Sequence, residues 1–211
     1  MRLPTKSLER KLFNQGYRKI IAVDEVGMGS LAGPVVVAAV QFNKRFFKKR
    51  HKNLHWLRDS KLLAPHQREN FVQELLKEKN LNYQIGYCYP KTIDRVNIYQ
   101  AARLAMRRAI KKIQNAKLKN SRTIVLVDGK NKIKGLNLEQ MPIIKGDRKI
   151  FSIACASLIA KVFRDKMMER YAKKFFRYGF EKHKGYGTKF HRMMLLKHGR
   201  SPIHRNSFHL I

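Results

Sequence analysis

The chain has 211 residues, 44% of them hydrophobic, and a formal net charge of +33. It is long enough for a sizeable core and too apolar for a disordered polybasic segment. No apolar run approaches the roughly 18 residues of a membrane span, and the opening MRLPTKSLERKLF lacks an apolar signal core, so a soluble, cytoplasmic protein is expected. With 47 Lys+Arg against 14 Asp+Glu, the chain generates a field that attracts polyanions, nucleic acid first among them; a generally basic surface is the plain alternative.

Residues 7–15 have the spacing of a short amphipathic helix, with Ser7 as N-cap and Gly16 as the stop. Residues 20–23 read as a first strand and Val35–Phe42 as a second, joined by a short Gly/Pro turn and predicted to be antiparallel neighbours. Between them stand two adjacent acids, Asp24 and Glu25, then Gly27-Met28-Gly29 and Gly33-Pro34. Successive strand residues point to opposite faces, so both acids can serve one site only if the strand has ended; Gly27 and Gly29 make that possible. Residues 46–55 form a basic, aromatic-bearing loop, read either as a nucleic-acid contact or as a solvated hairpin tip. Trp56, the sole tryptophan, is assigned to packing.

Residues 64–79 read as a helix with Pro65 in its first turn, and residues 81–89 as a strand closed by Pro90. Residues 92–113 read as one long helix, whose stripe of Ile98, Ala101, Ala102, Ala105 and Ala109 suits close packing on a sheet. Residues 123–127 form a β-branched strand ending at Asp128-Gly129, and residues 141–144 a shorter one ending before Gly146-Asp147. A second long helix follows over residues 152–176, and a last one over Lys189–His198, closed by Gly199. The order implies an α/β fold, a mixed sheet covered by helices. No repeat or linker divides it, so residues 1–211 are expected to form a single domain, with about 179–211 as a small helical cap.

Four acids fall at or just past strand ends: Asp24, Glu25, Asp128 and Asp147. Carboxylates brought together repel, and hard divalent cations with oxygen ligands neutralise them, Mg²⁺ by default and Mn²⁺ as a substitute. Two such ions about 3.5–4 Å apart can activate a water and stabilise the leaving oxygen of a phosphodiester. A basic protein with an acidic pit is what such a nuclease requires. Pairing of each acid with a nearby Lys or Arg is the plain alternative, and in a chain this poor in acids the metal reading is preferred. Asp165 lies 13 residues beyond Ser152, roughly 20 Å along a helix, and is assigned instead to an ion pair with Lys161 or Lys166. His183, His191, His198, His204 and His209 show no metal-ligand spacing and are expected at phosphates or on the surface. Cys88 and Cys155 are widely separated and read as buried thiols in a reducing compartment.

These motifs, taken together, resemble a known family. The stretch DEVGMGSLAGPVV over residues 24–36 is similar to the opening motif of type 2 ribonuclease H (ribonuclease HII), usually DEAGRGPLAGPVV. Asp59-Ser60-Lys61 resembles its DSK element, and Ile93-Asp94 with Asn97-Ile98 its IDxxNI helix. Val127-Asp128-Gly129, Lys145-Gly146-Asp147 with IACASLIAKVFRD, His183 through Thr188, and GRSPIHRNSF follow in the family's order. Several short motifs agreeing in order are far more specific than any one.

The resemblance implies a ribonuclease H-like fold and Mg²⁺- or Mn²⁺-dependent hydrolysis of RNA in RNA–DNA hybrids, with two ions in the catalytic complex. It also implies incision 5′ of ribonucleotides embedded in duplex DNA, leaving 3′-hydroxyl and 5′-phosphate ends. Asp24, Glu25, Asp128 and Asp147 then take the metal and catalytic roles. The backbone of Gly27, Met28 and Gly29 would read the ribose 2′-hydroxyl, Tyr186 would pack near that ribose, and Lys61 would meet a phosphate. The family usually has Arg where this chain has Met28. A monomer is expected. A type 3 ribonuclease H should carry an extra N-terminal domain, whereas 23 residues precede Asp24. The rival from another class is a basic nucleic-acid-binding protein with weak or no nuclease activity.

Overall fold

The computed structural model describes residues 4–48, 64–113 and 122–209. Among the described residues five strands form one sheet: β1 (Lys19–Val26), β2 (Val35–Phe42), β3 (Leu81–Cys88), β4 (Thr123–Asp128) and β5 (Glu139–Ile143). Their spatial order is β3-β2-β1-β4-β5. The β1–β2 and β2–β3 pairs are antiparallel, whereas β1–β4 and β4–β5 are parallel. The helices are α1 (Ser7–Asn14), α2 (Lys44–Lys48), α3 (Pro65–Leu76), α4 (Pro90–Val96), α5 (Ile98–Ile113), α6 (Phe151–Lys174), α7 (Phe180–His183) and α8 (Lys189–His198).

The central strands are buried on both faces, so they read as continuous apolar runs rather than alternating ones. Their side chains still alternate. Ile20 and Ala22 of β1 join Ala38 and Val40 of β2 in the core beneath α6, while Ile21 and Val23 join Val37 and Ala39 in the core beneath α5. The small-residue stripe of α5 does what its spacing predicts: Ala101, Ala105 and Ala109 are fully buried. Opposite them on β3 lies Gly86, where an added methyl would collide with the Ala105 carbonyl oxygen. Helix and sheet meet there at backbone distance. A third apolar cluster joins Leu31 and Ala32 to Met168 of α6 and to Tyr178, Phe180, Leu195 and Ile203. It seats the C-terminal region on the turn that follows β1.

Several boundaries differ from expectation, each for a local reason. Residues 92–113 are two helices: Asn97 adopts φ 63°, and its side-chain oxygen accepts the Gln100 amide at 3.0 Å. With ψ at 165°, that residue cannot continue a helix, so one helix ends there and the Asn97 side chain caps the next. Lys6, not Ser7, occupies the N-cap of α1, and the Ser7 hydroxyl bonds Thr5 instead. The basic loop expected over residues 46–55 begins as helix α2, whose Phe46 and Phe47 are buried against Phe42 and Phe13. Those two aromatics are core, not nucleic-acid contacts. Residues 49–55, Trp56 and Lys61 lie outside the described residues. The Ser152 helix runs from Phe151 to Lys174, and Phe176 belongs to a separate 3₁₀ turn, Phe176–Tyr178.

The Gly86–Ala105 contact can be tested directly. Gly86→Ala should destabilise the fold by about 2 kcal/mol, as overpacking of a tight core does. It should appear as a lower urea midpoint at unchanged m-value.

Candidate active site

The parallel β1–β4 pair makes the site. Its last rung joins Val23 to Val127, so the next residues, Asp24 and Asp128, leave the ladder side by side. β1 does not end there. It stays paired with β2 as far as Val26 and Val36, so the expectation that the strand stops before the two acids is not met. The β4 side of β1 is instead left open, and Asp24 and Glu25 both line the cleft that forms there. Asp147 is carried in by the 3₁₀ turn Gly146–Arg148, which Asp128 anchors by accepting the Gly146 amide at 2.7 Å. The cleft, about 560 Å³, is thus lined by all four acids together with Gly27, Met28, Gly29 and Tyr186. Of the sequence-derived site residues, only Lys61 falls outside the described residues.

The electrostatics follow from crowding and burial. Asp24 is only 5% exposed, and burial, with Glu25 and Asp128 beside it, holds its carboxyl well above the usual range. The Ser157 hydroxyl and the Glu25 amide, which donates to Asp24 Oδ1 at 2.8 Å, offset part of that. Glu25 is pushed up to about 7 by burial and then by Asp128. Asp128 is raised by burial and then by Asp147, against bonds from the Gly146, Gly129 and Asp147 amides. Glu25 Oε2 is buried without a hydrogen-bond partner among the described residues. An orphaned carboxylate oxygen in a pit of mutually repelling acids fits a hard divalent cation. Among the described residues no three acidic, histidine or cysteine side chains close into a ready-made cage. Ions of the Mg²⁺ class are held by one or two carboxylates, with water and substrate phosphate completing the shell, so an open arrangement suits them.

Around the acids stand residues whose place the sequence did not reveal. Ser157 and Lys161 project from α6 and Arg68 from α3 into the same cleft. Lys161 is held by Asp165 at 2.8 Å, the ion pair expected for that acid, while Lys166 faces Glu69 at 3.9 Å. Met28 is half-buried and packs on the core beneath α5. Tyr186 is bridged to Ser30 through the backbone, and its ring lies 5.5 Å from the Arg164 guanidinium.

His191 and His204 are a correction: both are buried, neither on the surface nor at a phosphate. Ser201 donates its amide to His204 Nδ1 at 2.8 Å, and the two Nε2 atoms lie 3.0 Å apart. His191 Nδ1 meets the Tyr186 carbonyl at 2.9 Å. A carbonyl only accepts, so His191 carries its proton on Nδ1 and His204 donates from Nε2. Burial lowers each to about 4, which keeps this chain of bonds neutral and ordered. Spacing could not show it, because the partners are 13 residues apart and meet only through the C-terminal fold.

Residues 21–211 match the family model described as Ribonuclease HII. The chain belongs to the ribonuclease HII family. It is 47% identical to Ribonuclease HII of Caldicellulosiruptor bescii over 201 residues, covering 95% of this chain and 91% of that relative. It is 45% identical to that of Endomicrobium trichonymphae over 202 residues, covering 96% and 90%. Among solved structures it resembles the ribonuclease H2 of Pyrococcus horikoshii with a TM-score of 0.70 at 24% identity, covering 91% and 94% of the two chains. The same TM-score and identity relate it to a PCNA:RNase HII complex from Archaeoglobus fulgidus, covering 91% and 96%. These two likenesses establish the ribonuclease H-like fold. As a ribonuclease HII family member the protein is a ribonuclease H, a divalent-metal-dependent endonuclease acting on nucleic acid. Among the described residues no helix is long and apolar enough to cross a membrane.

The buried acids should tax stability when no metal is bound. Glu25 titrates near 7 in the fold against an ordinary 4.5, so its ionised form is disfavoured there. The penalty is absent below about pH 4.5, grows between 4.5 and 7, and is constant above that. In metal-free protein, Glu25→Gln should therefore stabilise at pH 8 by on the order of 2 kcal/mol and change little at pH 4. Denaturant melts at the two pH values check it.

Proposed function

We propose that this enzyme hydrolyses the RNA strand of RNA–DNA hybrids and incises 5′ of single ribonucleotides embedded in duplex DNA, leaving 3′-hydroxyl and 5′-phosphate ends. The observation that carries the reading is the single cleft shared by four carboxylates, the glycine turn and Tyr186. Asp24, Glu25, Asp128 and Asp147 are the residues that would hold two divalent ions, Mg²⁺ or Mn²⁺. Bound there, such ions supply Lewis-acid activation of the attacking water and stabilisation of the leaving oxygen.

The chain's own residues supply the rest. Asp128 fixes the turn that carries Asp147, so the placement of one acid is tied to that of the other. Ser157 and the Glu25 amide hold Asp24 in one orientation. The backbone of Gly27, Met28 and Gly29 reads the 2′-hydroxyl, and Tyr186 packs on that ribose. Because the reader is backbone, Met28 can stand where relatives of the family usually have Arg. Lys61 meets a phosphate, and residues 179–211 cap the substrate within a single domain. The protein works as a monomer in the cytoplasm.

Asp128→Asn should abolish metal-dependent cleavage of a duplex holding one ribonucleotide while leaving its binding within a few-fold of the unmutated protein, measured by gel cleavage and by anisotropy. A protein that binds that duplex but never cuts it with Mg²⁺ or Mn²⁺ would instead be a nucleic-acid-binding module. Affinity should also fall steeply with salt, log Kd changing linearly with log salt, since phosphate contacts release counterions. A flat response would mean that the +33 charge is not used for binding.

A further inference from the structure

Two arginines with no exposed surface, Arg164 and Arg205, stand behind the cleft. Among the described residues, every hydrogen bond they donate within 3.1 Å ends on a backbone carbonyl. Arg164 serves Pro34, Ala32 and Lys184. Arg205 serves the glycine turn itself: Nε to the Gly33 carbonyl at 3.1 Å, one terminal nitrogen to Met28 at 3.0 Å, the other to Gly27 at 2.6 Å. Gly27 has φ 90°, and a methyl there would run into Arg164, so the turn is held between two guanidinium groups.

The direction of these bonds has a geometric consequence. A planar trans peptide points its carbonyl and its amide in opposite directions. The Gly27 carbonyl shares a peptide unit with the Met28 amide, and the Met28 carbonyl with the Gly29 amide. With both carbonyls turned back onto Arg205, both amides face the other way, and Met28 and Gly29 line the cleft. Among the described residues neither amide donates to a backbone carbonyl. Three nitrogens fixed in one plane serve the Gly27, Met28 and Gly33 carbonyls at set angles; a lysine ammonium is a single point on a flexible stem and fixes no such geometry.

We propose that Arg205 is the positioning residue of the ribose reader: holding the Gly27 and Met28 carbonyls from behind, it aims the Met28 and Gly29 amides at the 2′-hydroxyl and so sets the preference for a ribonucleotide over a deoxyribonucleotide. This rests on the function proposed above. Arg205 touches no substrate atom; it acts through the turn.

The readout is a ratio, the affinity for a one-ribonucleotide duplex divided by that for the all-DNA duplex of the same sequence. It is measured by anisotropy in the Asp128→Asn background, so that cleavage does not intervene. Arg205→Lys should lower the ratio about tenfold, the worth of one well-aimed hydrogen bond, with all-DNA affinity changed less than threefold. Ile110→Ala, which empties the core between α5 and the sheet, is the stability control: it should lower the melting temperature and keep the ratio. A ratio that survives Arg205→Lys, or that falls equally in Ile110→Ala, overturns the inference. If Arg205→Lys does not fold, Arg205→Gln carries the same test. An Asp128→Asn protein with no ribonucleotide preference at all sinks the proposed reading of the turn before Arg205 is changed, and the inference with it.

Discussion

Carboxylates that share a low-dielectric cleft raise one another's pKa, and everything around the cleft answers that repulsion. Asp24 and Asp128 are forced together because β1 and β4 are parallel and in register up to Val23 and Val127. Neither acid can relax away: one is held by Ser157 and a backbone amide, the other by the amides around Gly146. The protein therefore stores unfavourable electrostatic energy in the one place where divalent cations would release it. With only 14 acidic residues, the chain places four of them here, and Arg68 and Lys161 line the same cleft.

The second constraint is the placement of backbone, not of side chains. The turn after β1 is fixed from two directions. Buried guanidinium groups hold its carbonyls, and the Gly185–Gly187 loop is tied to it by the bridge of Ser30 to Tyr186 and by the Leu31 amide donating to the Gly185 carbonyl at 2.9 Å. That loop is in turn held by the neutral His191–His204 pair through the Tyr186 carbonyl. A buried cation that bonds only neutral carbonyls is costly, and burial with Arg164 nearby lowers Arg205 to about 9. Rigidity of the cleft-facing backbone is a physical return for that cost.

Much of this was legible along the chain. The strand Val35–Phe42 and the helix Lys189–His198 have the bounds their patterns predict, because hydrophobic period and the Gly and Pro stops act locally. The four acids could be named because each falls at or just past the end of an apolar run, and the family could be named because its motifs recur in order. The break at Asn97 was less visible: an uninterrupted helical stripe outweighed a single residue that prefers to cap. Phe46 and Phe47 were misplaced because a basic run hides the two apolar residues that face inward.

Arg164, Arg205, His191 and His204 could not be found this way at all. In a chain with 47 Lys+Arg, a buried arginine looks like any surface one, and its acceptors lie more than a hundred residues away or in another loop. The sequence by itself determined which acids fall at or just past the ends of apolar runs and, apart from helix α2 and the break at Asn97, which segments are strand or helix, since both depend on residue type and near neighbours. Only the tertiary structure decided that Asp24 and Asp128 stand side by side, that the strand runs on past the acids, and that buried cations hold the carbonyls of the glycine turn. Those follow from register and packing between distant segments, which no local pattern encodes.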